Sequence, residues 1–276
     1  MTGDTAVSAS VITFNEEARI ERCLKSLSWA DEIVVVDSFS TDATVDVCRR
    51  FTDRIVQREF KGFKDQFNYA MNQTTHEWVV SLDADEAFTD EAVESIKREL
   101  EGYDGSWDAF SFPRRAWFID RWIWHSGWYP QRKVRLFKKT MGQFDGEEPH
   151  IGVHTTGRVK DLEGDILHWP YPDGVHSLAD RINRYSTIAA ASRLSRGRRF
   201  SAVAMLAAPS ATFIKKYLLK LGFLDGRPGL IISYCSAYYE FCKWAKMWDM
   251  QKRPPGDDLP YRAREAAKRN GERDSA

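Results

Sequence analysis

The chain has 276 residues, 43% hydrophobic and 29% charged, the composition of a folded protein with a sizeable core rather than a disordered or fibrous one. Forty basic residues balance forty acidic ones, so no overall positive field invites nucleic acid and no nucleic-acid partner is expected. Cys23, Cys48, Cys235 and Cys242 fall in neither a CxxC pair nor a zinc-ligand spacing, which fits reduced thiols in the cytosol.

MTGDTAVSAS, at the N-terminus, lacks the basic-then-apolar pattern of a signal peptide. Beyond it, strand and helix alternate. AVSASVITF is a β-rich run that ends at Asn15, and Ile20, Cys23, Leu24 and Leu27 then fall at helical spacing within 16–27. EIVVVD is apolar without alternation, as in a parallel strand buried on both faces. SFSTDAT is a loop offering Thr41 or Asp42 as N-cap for VDVCRRF. DRIVQRE is a weaker third strand, KDQFNYAMNQT a helix, and HEWVVSLDADE a fourth strand with an acidic exit. This order predicts a parallel sheet with right-handed crossovers, whose ligands bind beyond the carboxyl ends of the strands. Residues 13–17, 37–42 and 83–86 all follow strands and so line one crevice.

Past Leu100 the strand-like pieces are broken by Pro and Gly, and a mixed, partly antiparallel extension of the sheet is expected. From Ser177 an amphipathic helix runs to Gly197, followed by a second helical region over 202–248 that is apolar, aromatic and studded with lysines. Its 213–248 part suits either an amphipathic surface on anionic lipid or helices packed on the rest of the chain or in a homodimer. The uncharged stretches at 200–214 and 228–239 fall short of the ~20 residues of a membrane span. A cytoplasmic protein, peripheral to a membrane at most, is the expectation. The tail from Lys252 is charged and poor in large apolar residues, and is expected to be solvated.

Three acids, Asp83, Asp85 and Glu86, crowd four positions where the fourth strand ends, and they repel one another unless a cation neutralises them. Two carboxylates one residue apart suit Mg²⁺ or Mn²⁺, which keeps several waters and shares itself with substrate phosphates.

VITFNEEARIERCLKSL, EIVVVDSFSTDAT, GFKDQFNYA and WVVSLDADE, in that order over 7–90, resemble glycosyltransferase family 2 with the GT-A fold. GWYPQRKVRLFKK, GDILHWPY and FIKKYLLKLGFLDGRPG resemble its bacterial branch that decorates lipopolysaccharide cores or related surface glycans. The resemblance implies an α/β GT-A catalytic domain over 1–175, with a nucleotide-binding half (about 7–100) and an acceptor half (about 101–175). A helical extension over 176–250 and the tail 251–276 follow. It also implies metal-dependent, inverting transfer from a nucleotide-diphosphate sugar, UDP-sugars favoured, to a glycan or lipid-linked acceptor.

By the same resemblance Thr13, Asn15 and Glu17 cradle the nucleotide and Asp37 bonds the base. Gln66 and Asn68 stand near the donor, with Lys64 as a nearby charge because Phe67 occupies a place where the family often has Lys or Arg. Asp83 faces ribose or metal, Asp85 is the principal metal ligand, and His168 sits where a late His meets the metal or diphosphate, with His150 a second candidate. Inversion requires a general base opposite the leaving diphosphate. FDGEEPH offers Glu148, then Glu147, then Asp145, although Ile151 stands where relatives commonly place the acid. Trp124, His125, Trp128 and Tyr129 form either an acceptor wall or core packing, and Arg132 and Arg135 beside them meet phosphates or solvent. Two rival readings are a non-catalytic nucleotide-sugar or glycan-binding module of the same fold, and a DxD phosphatase. The second is disfavoured because Ala87 replaces that motif's Thr or Val and the acids follow the fourth strand, not the first.

Overall fold

The structure, a computed structural model, describes residues 5–146 and 151–252. Its centre is a seven-stranded mixed sheet. The first four strands are β1 (Val7–Thr13), β2 (Glu32–Asp37), β3 (Ile55–Gln57) and β4 (Trp78–Asp83), paired in parallel in the order β4–β1–β2–β3. β1 is buried along its whole length, so even Ser8 and Ser10, which alternate with Val7, Ala9 and Val11, lie inside, while β2 carries the continuous apolar run 33–36. One face is covered by α1 (Ile20–Ser26), α2 (Thr44–Cys48) and α4 (Asp90–Glu101), the other by α3 (Phe63–Asn72), whose Phe67, Ala70 and Met71 are buried. Beyond β4 the sheet continues through β9 (Lys133–Lys138), antiparallel to it, then β6 (Ala109–Phe112) and β12 (Val159–Asp161). This is a GT-A arrangement, with the mixed extension that the broken second half of the sequence implies.

A second sheet of four short strands stands at the exit of β4: β5 (Glu86–Phe88), β13 (Ile166–His168), β7 (Arg114–Phe118) and β8 (Arg121–Trp122). Only Ala84 and Asp85 separate β4 from β5, so the chain passes from one sheet to the other through the DxD segment. A hairpin of β10 (Gly142–Asp145) and β11 (Gly152–Thr155) leans on α3 and β9.

The C-terminal extension comprises α5 (Val175–Ser195), α6 (Ala202–Ile214), a π-helical turn (Lys215–Leu219), a 3₁₀ turn (Gly222–Asp225) and α7 (Gly226–Lys252), with α7 packed between α5 and α6. The helical region expected over 202–248 is therefore interrupted. Leu221 takes a left-handed conformation (φ 53°), and the turn folds so tightly that a Cβ at Gly229 would stand 1.9 Å from the Gly222 carbonyl oxygen. A second departure concerns length. Ala202–Leu219 forms one helical run of 18 residues, long and apolar enough by composition to cross a membrane, and none of it is buried. The helix expected from residue 16 starts only at Ile20, because the Glu16 carbonyl first accepts the N–H groups of Arg19 and Ile20 (both 2.9 Å) in a turn. Most of the charged tail lies outside the described residues.

Candidate functional site

Strand register brings the carboxyl ends of β1 to β4 level. Thr13 pairs with Asp37, Asp37 with Gln57, and Ile12 with Asp83, so residues far apart in the chain come together at one edge of the sheet. Asp37 is wholly buried, with one carboxylate oxygen accepting the Ser40 hydroxyl and the other the Ser40 N–H and Gln57 Nε2 (both 3.0 Å). Asn15, left-handed at φ 53°, accepts the Thr41 N–H (2.8 Å) and donates its own N–H to Ser40 Oγ (2.9 Å). Its neighbour Glu16 donates its N–H to Thr44 Oγ1 (2.7 Å), and the Glu17 carboxylate accepts the Ala43 N–H (2.9 Å). Asp42 accepts the N–H groups of Glu17 (3.2 Å) and Thr44 (3.0 Å), serving the start of α2 although the helix boundary is Ala43. The loops after β1 and β2 are thus laced to each other along their length.

The three crowded acids have three different fates. Glu86 is fully buried and is a counter-ion: Oε1 meets Arg114 Nη1 (3.0 Å), while Oε2 meets Arg135 Nη2 (2.6 Å) and accepts the Asp83 N–H (3.3 Å). Burial opposes its charge, but Arg135 and Arg114 more than offset this and hold its carboxyl at about 2. Asp83 shares Arg135 through Oδ2 (3.1 Å), while its Oδ1 is buried without a partner; burial pushes its carboxyl up against the pull of that arginine. Asp85 faces His168, with Oδ2 3.4 Å from Nε2. Burial works against its charge too, yet the imidazole beside it brings the carboxyl below its ordinary range. β13 delivers that histidine, since His168 lies opposite Glu86 in the small sheet. The Asp85 carbonyl accepts the Trp169 N–H (3.0 Å), and Arg19, forked onto Glu16 (2.6 and 2.7 Å), donates to the Trp169 carbonyl (3.1 Å). The DxD turn, β13 and the loop after β1 are therefore one braced unit.

Arg135 is not the solvent-facing charge that its sequence position allowed. It is buried as the cation of the acidic cluster. Lys133, Val134, Arg135 and Leu136 alternate as in a strand with one wet face, so the sequence alone does not mark Arg135 as buried.

Among the described residues, no group of three or more His, Cys, Asp and Glu side chains is gathered into a metal cage. The chemistry at hand is two carboxylates, Asp85 and Asp83 with its unpartnered Oδ1, and the imidazole of His168 next to Asp85; Mg²⁺ and Mn²⁺ are commonly held by one or two protein carboxylates with water and phosphate completing the shell. The Thr13 hydroxyl, buried without a partner, is a second unspent polar atom at these strand ends.

The α3 residues divide. Gln66 is buried and reaches the crevice loop, donating to Ser38 Oγ (3.1 Å). Asn68 points to the β10 hairpin, exchanging bonds with both the N–H and the carbonyl of Phe144 (each 2.9 Å), and Lys64 pairs with Asp145. Phe67 is buried and stacked on Phe144, ring centroids 4.5 Å apart. Of the candidate bases, Asp145 is thus a partner of Lys64, while Glu147 and Glu148 lie outside the described residues, as does His150, the second candidate histidine for the metal or diphosphate. The aromatic group also splits. Trp128 packs against Phe118 and Tyr171, and His125 Nδ1 lies 3.0 Å from Asp225. Trp124 is exposed and touches Tyr129 and Arg115. Arg132 binds Asp161 and the carbonyls of Ser111 and Leu162.

The family model for glycosyl transferase family 2 matches residues 8–162. Among curated proteins, the chain is 28% identical to the lipopolysaccharide core biosynthesis glycosyltransferase LpsC of Rhizobium meliloti, covering 91% of this chain and 96% of that one. It is 26% identical to an uncharacterized glycosyltransferase of Rickettsia typhi over 88% of this chain and 87% of that one. Among solved structures, S. aureus TarS 1–349 in complex with UDP-GlcNAc aligns over 96% of this chain and 92% of that one, at 16% identity and a TM-score of 0.46.

Proposed function

The chain belongs to glycosyltransferase family 2, and we propose that it is an inverting, metal-dependent enzyme. It moves a sugar from a nucleotide-diphosphate sugar, a UDP-sugar by preference, to a glycan or lipid-linked acceptor in lipopolysaccharide core or surface-polysaccharide synthesis. The observation that carries this reading is the Asp85–His168 pair beside the unpartnered Asp83 Oδ1, at the level ends of four parallel strands. Likeness to the Rhizobium core-biosynthesis enzyme along nearly the whole of both chains supports the acceptor class.

Asp85 and His168 would hold the cation, with Asp83 lending Oδ1 to it or to the ribose. Bound there, Mg²⁺ or Mn²⁺ offsets the charge that builds on the departing diphosphate. The braced loops carrying Asn15 and Glu17 hold the nucleotide, the Thr13 hydroxyl donates to it, and Asp37 with Gln57 forms the floor under the base. Glu148, or Glu147 after it, removes the acceptor hydroxyl's proton as that oxygen attacks the anomeric carbon. Lys64 and Asn68 act at one remove, seating the β10 strand that leads into FDGEEPH. The enzyme works in the cytoplasm and meets its acceptor at the inner membrane, the helical extension facing that membrane or a second copy of the chain.

Thermal shift with UDP, GDP and CMP, each with and without Mn²⁺, tests the site. One nucleotide, UDP by this reading, stabilises the protein in a Mn²⁺-dependent way, and Asp85→Ala removes the dependence. Absence of any nucleotide response refutes the donor site. Retention of the Mn²⁺ effect in Asp85→Ala refutes the ligand assignment.

A further inference from the structure

The outer face of the helical extension is apolar and uncovered. Val203, Leu206 and Leu219 are 77%, 70% and 73% exposed, and Leu224 and, on α7, Tyr234 and Tyr238 are exposed as well. Along it, an apolar groove of about 620 Å³ runs between α6 and α7, lined by Met205, Pro209, Phe213 and Phe241 among others. Contiguous apolar surface of this kind marks a docking site. Its electrostatics are one-sided. Residues 198–241, the span that ends at the groove residue Phe241, contain six basic residues (Arg198, Arg199, Lys215, Lys216, Lys220 and Arg227) and two acids: Glu240, which is paired with Lys243 (2.5 Å), and Asp225. Asp225 is buried and spent on the N–H groups of Trp124 (3.2 Å) and His125 (2.8 Å).

We propose that this face docks onto an anionic lipid bilayer, with α6 lying along the boundary between headgroups and acyl chains. The contact deepens the reading of a lipid-linked acceptor, on which its purpose rests. Apolar side chains flanked by lysine and arginine match a surface that is oily below and negative above. A second copy matches less well: in a two-fold dimer the same patch meets itself, setting this excess of positive charge against its own image. The helical run lies on the membrane rather than crossing it because both ends are tied to one folded body. At its start the Phe200 N–H donates to Gln251 Oε1 (3.1 Å). At its end Lys216 Nζ donates to the Ser126 carbonyl (3.1 Å), and the Ser126 N–H to the Lys220 carbonyl (2.9 Å). Those last bonds, with the Asp225 contacts, fasten the docking face to the loop after β8, so a docked enzyme presents its crevice at a fixed attitude to the lipid.

The test is co-sedimentation of the full chain, without nucleotide, with vesicles of phosphatidylcholine alone or of phosphatidylcholine with phosphatidylglycerol. Binding to the anionic vesicles and not the neutral ones, weakened by salt, is expected. The triple change Lys215→Glu, Lys220→Glu, Arg227→Glu lowers partition at least about tenfold, as does Leu206→Asn with Leu219→Asn. All five side chains are exposed, and unchanged melting curves establish that the variants are folded. Failure to bind anionic vesicles overturns the proposal, as does equal binding to neutral ones. A dimer by light scattering, dispersed by the leucine changes and blind to vesicles, assigns the face to a second copy. Because no donor is present, none of these outcomes bears on the nucleotide site.

Discussion

Arg135→Met is the sharpest probe of how the acidic turn is held. The arginine is the shared cation of Glu86 (2.6 Å) and Asp83 (3.1 Å), and its loss leaves a fully buried Glu86 with Arg114 as its remaining cation. Removing one partner from a buried charge pair costs about 3–5 kcal/mol. For a domain of this size each kcal/mol lowers Tm by roughly 2–4 °C, so a fall of about 10 °C at neutral pH is expected. The double variant Arg135→Met, Glu86→Gln should fall less than the sum of its parts, since removing the uncompensated charge relieves much of the damage. Acidity provides a second axis. The Glu86 carboxyl is held at about 2 in the fold against an ordinary 4.5, so its stabilisation is present above 4.5 and lost as pH falls toward 2. Asp83, raised by burial, works in the opposite sense and costs stability as pH rises through its ordinary range. In Arg135→Met both carboxylates lose their shared cation, and protonation relieves them, so the deficit against the parent narrows as pH falls from 7 toward 4. Scanning calorimetry across that range measures it. A deficit under about 3 °C at pH 7, additive single variants, or a gap that widens on acidification would refute the network.

Two other substitutions test the division within α3. Asn68→Ala removes its bonds to the Phe144 backbone and should cost about 1–3 kcal/mol, visible as a lower Tm with unchanged nucleotide affinity by calorimetric titration; a selective loss of affinity would place Asn68 at the donor instead. Phe67→Lys puts an amine where a buried ring stacks on Phe144, so it should destabilise by at least about 3 kcal/mol in urea denaturation rather than tighten nucleotide binding; tighter binding at unchanged stability would contradict the packing.

The parallel half of the fold was legible from short β-rich runs, of which EIVVVD alone is continuously apolar, separated by helical spacings, and the rule that ligands gather at strand ends then collected Thr13, Asp37 and Asp83. The register shows them level. What escaped the sequence was pairing at long range. Arg135 reads like any basic residue in KVRLFK until Glu86, 49 positions away, is seen to need it. Asn68 looks like a donor-facing polar group until Phe144, 76 positions on, takes both ends of its amide. The break between α6 and α7 depends on Leu221 adopting a left-handed conformation, which leucine rarely does and its identity does not announce.

The lacing of the loops after β1 and β2 bears on how such an enzyme could be re-engineered. Asn15, Glu16 and Glu17 spend themselves on Ser40, Thr41, Ala43 and Thr44, and Asp42 answers Glu17 in return. The two segments form a single inherited cassette: a graft of one loop from a relative with different donor choice would arrive with half a zipper. On the proposed reading, in which these loops hold the donor, donor exchange calls for transplanting residues 15–17 and 40–44 together, since a change to either segment alone breaks the bonds that join them.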